Sequence, residues 1–382
     1  MAGIYIHIPF CKQACFYCDF HFSTSLKKKD ELIQALVKEL EIRKDEINET
    51  VETIYFGGGT PSLLSIDELN LIVKTINENY TVSNNPEITL EANPDDLTNQ
   101  QITDLTNTQI NRLSIGVQSF FEDDLQSMNR AHSSKEAKEC LSMAARHFDN
   151  ITIDLIYGIP NMTLEKWDKN LQIAFDLGIN HISSYALTVE PKTALDLFIK
   201  KGTYPPINEG LALKHFNHLV NETAKQGFIQ YEISNFGKPN YFSKHNSSYW
   251  HGTHYLGIGP SAHSFDGETR SWNVSNNTKY IQSIQNSKLP KTEETLSVND
   301  KYNEYVMTSL RTIRGISLQK VERDFGKKYF QHLNSSSEKY INQNLLVASS
   351  DFDVNQNFIK KLKLTNKGKF LADGIASDLF MI

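Results

Sequence analysis

The sequence predicts an α/β protein: an open, partial TIM-like barrel of six βα units followed by a small helical, winged-helix-like C-terminal domain. Three observations carry this reading. Short β-rich runs alternate with longer amphipathic runs through the first two thirds of the 382 residues, the pattern of βαβ units on a parallel sheet. The residues with unusual chemistry fall at the C-terminal ends of the predicted strands, the rim where such folds carry their functional loops. Beyond about residue 200 the alternation gives way to longer helical runs and one late pair of short strands.

The predicted strands are Gly3–Ile8, Thr53–Phe56, Glu87–Glu91, Arg112–Val117, Ile151–Tyr157 and His181–Leu187. Between them, apolar residues at helical spacing predict helices over Asp30–Glu49, Ile66–Asn79, Ser134–Phe148 and Leu164–Leu177. Right-handed crossovers would wrap these units into an open barrel. A helix over Asn208–Gly227 and a strand over Phe228–Ser234 follow, then a loop rich in His, aromatics and Gly from Asn235 to Phe265. The C-terminal domain reads as helices Asp300–Arg314 and Ser317–Phe325, strands Leu345–Val347 and Phe358–Leu364, and a last helix Asn366–Phe380. The expected organisation is a barrel over 1–235, a linker with the His/aromatic loop over 236–290, and the C-terminal domain over 291–382.

Composition excludes several function classes. A hydrophobic content of 39% and a charged content of 22% are those of an ordinary globular chain. The net charge of −6 offers no concentrated basic face, so nucleic acid is not an expected partner. No apolar run reaches the roughly 20 residues of a membrane span, and MAGIYIHIPF lacks a signal-peptide n-region. The expected location is the cytoplasm. Of four cysteines, three lie within Cys11–Cys18, the distribution of a metal site and not of a disulfide scaffold. Cys140 stands alone in a helical run and reads as a small core residue.

Cys11-Lys-Gln-Ala-Cys15-Phe-Tyr-Cys18 is C-x3-C-x2-C in a loop behind the first strand. Closely spaced thiolates let one loop hold three corners of an iron–sulfur cubane, leaving the fourth iron open to a small molecule. The alternative is a zinc site completed by His7 or His21, although zinc knuckles favour paired C-x2-C ligands. The motif resembles that of the radical-SAM superfamily. That resemblance implies a [4Fe–4S] cluster on Cys11, Cys15 and Cys18, with S-adenosylmethionine at the open iron.

Gly57-Gly58-Gly59-Thr60-Pro61 follows the second strand; glycines let backbone amides approach a ligand, and Thr60 adds a hydroxyl. Glu91, Gln118, Arg130 and Asp154 then occur in order; a carboxylate suits a ribose hydroxyl and an arginine suits a carboxylate. Read singly, each is an ordinary polar residue. Together, and with Tyr5 and Tyr17, they are similar to the adenosylmethionine contacts of the oxygen-independent coproporphyrinogen III oxidase family. The resemblance spans most of the chain and implies that Tyr5, Tyr17, Gly58, Gly59, Thr60, Glu91, Gln118, Arg130 and Asp154 hold S-adenosylmethionine.

Within that family the sequence departs from the oxidases in two respects. Phe20 stands where they carry a fourth cysteine, and their long segment before the cysteines has no counterpart ahead of Cys11. Both features point toward the HemW-type heme chaperones. His245-Asn-Ser-Ser-Tyr249-Trp250 matches the HNxxYW motif of that group and implies heme binding through His245, Tyr249 and Trp250. An imidazole can ligate heme iron, and Tyr and Trp offer flat faces to a porphyrin. Packing against a barrel mouth is the competing role for such a loop, and His251, His254 and His263 are nearby alternative ligands. The implied function is binding heme and delivering it to apo-hemoproteins, respiratory ones among them, with a possible homodimer. The alternative is porphyrin decarboxylation by a coproporphyrinogen III oxidase.

Overall fold

The computed structural model describes residues 1–352 and 358–382. Six parallel strands run in chain order: β1 (Ala2–Ile8), β2 (Val51–Gly58), β3 (Val82–Ala92), β4 (Arg112–Gln118), β5 (Ile151–Tyr157) and β6 (His181–Ala186). Each predicted strand is present. Several extend farther than expected: β3 runs one residue past Glu91, and Gln118, expected just behind its strand, is the last residue of β4. Buried Ile, Leu and Val on the outer faces of these strands pack on the surrounding helices, among them Ile66–Asn79 and Leu164–Asp176. Ser65 and Ser133 start two of these helices with reciprocal capping boxes to Glu68 and Glu136.

The first helix ends at Ile42, earlier than expected. There Arg43 turns under the sheet, and its guanidinium donates to Glu39, Glu46 and the Gly257 carbonyl. The buried Arg43–Glu39 pair is completed by Asn273 and Tyr280, which also bond Glu39.

The largest departure lies at 235–295. The expected loop folds into β8 (Asn235–Gly237), the helix Lys244–Trp250, β9 (His254–Ile258) and β10 (His263–Phe265), after β7 (Ile229–Glu232). β9 pairs in parallel with β1, in register Gly3 with Tyr255 and Tyr5 with Gly257. With β11 (Thr269–Asn273) and β12 (Lys291–Thr295), the described residues form a twelve-stranded sheet ordered β12-β11-β10-β9-β1-β2-β3-β4-β5-β6-β8-β7. The stretch expected to be a linker is therefore one edge of the barrel sheet.

The C-terminal region has its own apolar core around Tyr302, Val306, Leu333 and Leu362. It contains helices Val298–Leu310 and Leu318–Phe325, and a three-stranded sheet of β13 (Ile316–Ser317), β15 (Phe358–Leu364) and β14 (Leu346–Phe352). The sequence reading missed the helix Lys327–Asn342, whose polar run hides the buried Leu333 and Ser337. The expected last helix is two short ones, Asn366–Lys369 and Ala372–Asp378.

Candidate functional site

Side chains alternate across a strand, so residues 5 and 7 of β1, 53, 55 and 57 of β2, and 87, 89 and 91 of β3 share the inner face of the sheet. That face is polar to its base. Glu87 accepts from the backbone N–H groups of Lys244 and His245, both at 3.0 Å, where a helix start favours negative charge. Arg112 donates to Thr152, which bonds His181; His181 in turn bonds the Tyr231 hydroxyl at 2.7 Å. This network closes the lower end of the barrel with the helix Lys244–Trp250.

The cysteines lie in a loop whose backbone is tied down on three sides. Cys11 N–H donates to Ser23, Phe16 N–H to Met128, and Leu195 N–H to Phe16. The Gln13 amide donates to the Asn129 main-chain and side-chain carbonyls, the Asn129 amide donates to the Ala14 carbonyl, and Lys12 pairs with Asp95 and Asp96. All three thiols are half-buried and free. Burial pushes Cys18 up to about 11 and raises Cys11, so in the metal-free chain both are neutral thiols. Arg130 stands 3.3 Å from the Cys15 sulfur and also donates to Asn93 and the Gly116 carbonyl. Its Nε is buried without a partner.

The donor set fits a cluster held by three thiolates. A strapped backbone carries half-buried sulfurs with a guanidinium beside them. Among the described residues no group of three His, Cys, Asp or Glu converges on a single metal ion. The two histidines of the zinc alternative are engaged elsewhere: His7 bonds Tyr5 and the His21 carbonyl, and His21 bonds Asn277.

The residues expected at adenosylmethionine gather above the same strands. Gly58, at φ +109°, donates its N–H to Glu91, whose other oxygen accepts from the Tyr55 hydroxyl at 2.8 Å. A side chain at Gly58 would strike the His7 ring, so glycine is required here for backbone shape. Thr60 is buried and accepts from Asn93, which joins it to Arg130. Gln118 is buried with φ +65°, at an irregularity in the β4–β5 register. Asp154 lies on the inner face of β5, and burial raises it to about 6, as it raises Glu91 to about 7. Burial also raises Tyr5 and Tyr17. Sequence reasoning missed Asn93, which tethers two of these residues; its signal was its place in the Glu91-Ala-Asn-Pro94 turn.

The HNxxYW segment is split between two environments. His245 is 1% exposed, with Nδ1 at 2.8 Å from Thr53 and Nε2 at 2.8 Å from the Tyr249 hydroxyl. Its ring stacks on Tyr55 at 4.9 Å, and burial, then the Arg112 charge, push its pKa down to about 3. Tyr249 and Trp250 instead face a cavity of about 1530 Å³ between the barrel sheet and the C-terminal domain. Its walls include Tyr255, Phe265, Tyr305 and Phe325, with Asp19, Phe20 and His21 from the cysteine loop. His251 and His263 also line it, and neither ring makes a hydrogen bond among the described residues, though His263 stacks on Trp272 at 5.9 Å. His254 points elsewhere, paired with Glu49 at 2.6 Å. Two of the three motif residues thus line the cavity, which is assembled from segments far apart in the chain.

Comparisons with known proteins agree with this architecture. Residues 5–174 match the radical SAM superfamily model and residues 296–352 the HemN C-terminal domain model. The chain is 32% identical to the heme chaperone HemW of Bacillus subtilis (strain 168), over 98% of each chain. It is 30% identical to HemW of Mycobacterium tuberculosis (strain ATCC 25618 / H37Rv), over 99% of this chain and 94% of that one. The fold is that of the coproporphyrinogen III oxidase HemN from Escherichia coli, with a TM-score of 0.84 at 23% identity over 100% of this chain and 90% of that one. By its sequence relatives, the chain belongs to the HemW heme-chaperone family of radical-SAM proteins.

Proposed function

We propose that this protein binds heme in the cavity between its barrel and its C-terminal domain and passes it to apo-hemoproteins, respiratory enzymes among them. The cavity carries the reading: its volume exceeds the roughly 300–1,000 Å³ of ordinary ligand sites, and aromatic faces and two unbonded imidazoles line it. Tyr249 and Trp250 supply flat walls, and His251 or His263 supplies the iron ligand. His245 serves heme by holding Tyr249 from beneath, since using its own nitrogens would break two buried hydrogen bonds.

A [4Fe–4S] cluster on Cys11, Cys15 and Cys18 belongs to the same proposal, with S-adenosylmethionine held by Tyr5, Tyr17, Gly58, Gly59, Thr60, Glu91, Gln118, Arg130 and Asp154. When bound, such a cluster offers one open iron to the amino and carboxylate groups of S-adenosylmethionine. The chain's own part is positional. Arg130 sets positive charge beside the thiolates, and Asn93 orients Arg130 against Thr60. Phe20 and His21 extend the cysteine loop into the cavity wall, so the loop that would hold the cluster also borders the proposed heme site. The proposed unit layout is a barrel, an edge segment and a C-terminal lid, in a cytoplasmic protein able to form homodimers. No described helix is long and apolar enough to cross a membrane.

The test is an anaerobic heme titration of the reconstituted protein beside His245→Ala, His251→Ala and His263→Ala. Saturable binding weakened by a cavity histidine supports the proposal; loss only in a folded His245→Ala returns the ligand to that residue. Absence of binding defeats the chaperone reading. An assay for protoporphyrinogen from coproporphyrinogen then tests the oxidase alternative, which the shared fold favours.

A further inference from the structure

The cavity wall carries charges that the heme reading does not use. Arg270, Lys301 and Lys320 on its wall are each paired with a carboxylate, Glu304, Glu268 and Asp324 respectively. Arg314 also lines the cavity, yet it makes no salt bridge and no side-chain hydrogen bond among the described residues. Partial desolvation lowers its pKa, and desolvation, then the Arg314 charge, push His251 down to about 4.

The backbone around Arg314 is fixed. Ile233 N–H donates to the Arg311 carbonyl at 2.9 Å, and Ile313 N–H donates to the Tyr231 carbonyl at 3.1 Å. Gly315 follows at φ +68°, where a side chain would strike the Leu362 carbonyl. The turn is therefore pinned to the barrel on one side and to the β-wing on the other. An exposed, unpaired guanidinium that lines the cavity on a rigid turn is a site for a carboxylate, which its planar fork can grip with two hydrogen bonds.

We propose that Arg314 binds a carboxylate substituent of the porphyrin, so that the C-terminal domain selects its cargo by the acidic edge while the barrel side faces the ring. This rests on the heme reading and adds to it a residue and a specificity: free propionates are required. His251, whose ring feels the Arg314 charge, is the lining histidine near such a carboxylate, and Trp250 and Tyr249 line the same cavity.

The experiment uses the full-length reconstituted protein, with heme and heme dimethyl ester as probes, in wild type, Arg314→Gln and Arg314→Lys. Wild type is expected to bind heme about tenfold more tightly than the ester, as one charge-assisted contact gives. Arg314→Gln loses that tenfold for heme and nothing for the ester, and Arg314→Lys restores part of it. Wild-type heme affinity in Arg314→Gln overturns the assignment and leaves the heme reading standing. Equal loss of both probes also overturns it, as a structural effect that a thermal melt would show. A wild type that binds neither probe overturns the heme reading itself.

Discussion

Two short segments carry the chemistry of this molecule, and they are built in opposite ways. In the cysteine loop, the backbone is strapped to Ser23, Met128 and Leu195, with Lys12 paired to Asp95 and Asp96, while among the described residues the sulfurs meet only single polar neighbours, Thr60 at Cys11, Arg130 at Cys15 and the Phe20 backbone at Cys18. In the 245–250 segment, His245 is saturated: both ring nitrogens are bonded, its face is stacked, and its amide is held by Glu87. A rigid backbone with unspent side chains is poised for a ligand. A side chain whose every valence is met within the fold is part of the scaffold, and its neighbours do the binding.

The largest effect expected from this contrast is at the cysteines. Cys18→Ser abolishes iron and sulfide retention and the brown colour after reconstitution, whereas Cys140→Ser, in a buried helix position, keeps both. Full metal content in Cys18→Ser would show that another residue completes the site.

Next comes stability. His245→Ala leaves a cavity and strands the Thr53 and Tyr249 hydroxyls, so a loss of about 3 kcal/mol is expected in urea unfolding. His263→Ala, at an exposed position, stays within about 0.5 kcal/mol. Equal midpoints for the two variants would remove the distinction between scaffold and wall.

The pH dependence sharpens the same point. In the fold His245 titrates near 3, against 6.5 for an ordinary histidine. Below pH 6.5 the unfolded chain binds a proton that the folded chain refuses, so stability falls as pH drops from 6.5 toward 3. His181, buried at the same barrel base, acts in the same direction. Glu91 and Asp154, raised to about 7 and 6, act oppositely and lose their contribution as pH rises through those values. Unfolding midpoints between pH 7 and 4 should therefore slope less steeply in His245→Asn than in wild type. Parallel slopes would mean that the imidazole is not neutral in the fold.

The smallest effect is at the strap. Lys12 is part-exposed, so Lys12→Ala should cost under about 1 kcal/mol of stability while speeding loss of the cluster to a chelator. An unchanged loss rate would show that the remaining ties hold the loop alone.

Much of this was legible in the amino-acid order. Period-two and period-3.6 patterns located β1 to β6 and most of their helices, because each such element buries a face defined by its own few residues. The C-x3-C-x2-C spacing marked a candidate cluster loop for the same reason: all three donors sit on one local segment. Gly58, Glu91 and Gln118 were expected from strand ends and Arg130 and Asp154 from the family resemblance, but the tether through Asn93 followed from neither.

What only the tertiary structure decided depends on partners far apart in the chain. The five residues of β9 carry too little pattern to announce a strand, and it exists because β1, some 250 positions earlier, offers a parallel edge. The same holds for His245, which its motif offered as a ligand and whose ring Thr53, Tyr55 and Tyr249 engage within the fold. Arg314 is marked by nothing local at all. Its significance is that neighbouring cations found carboxylates and it did not, and only the assembled cavity, joining barrel to C-terminal domain, settles such pairings. Sequence by itself determined most of the elements and the loop that carries the three cysteines; the long-range satisfaction of hydrogen bonds and charges decided which side chains remain free to act.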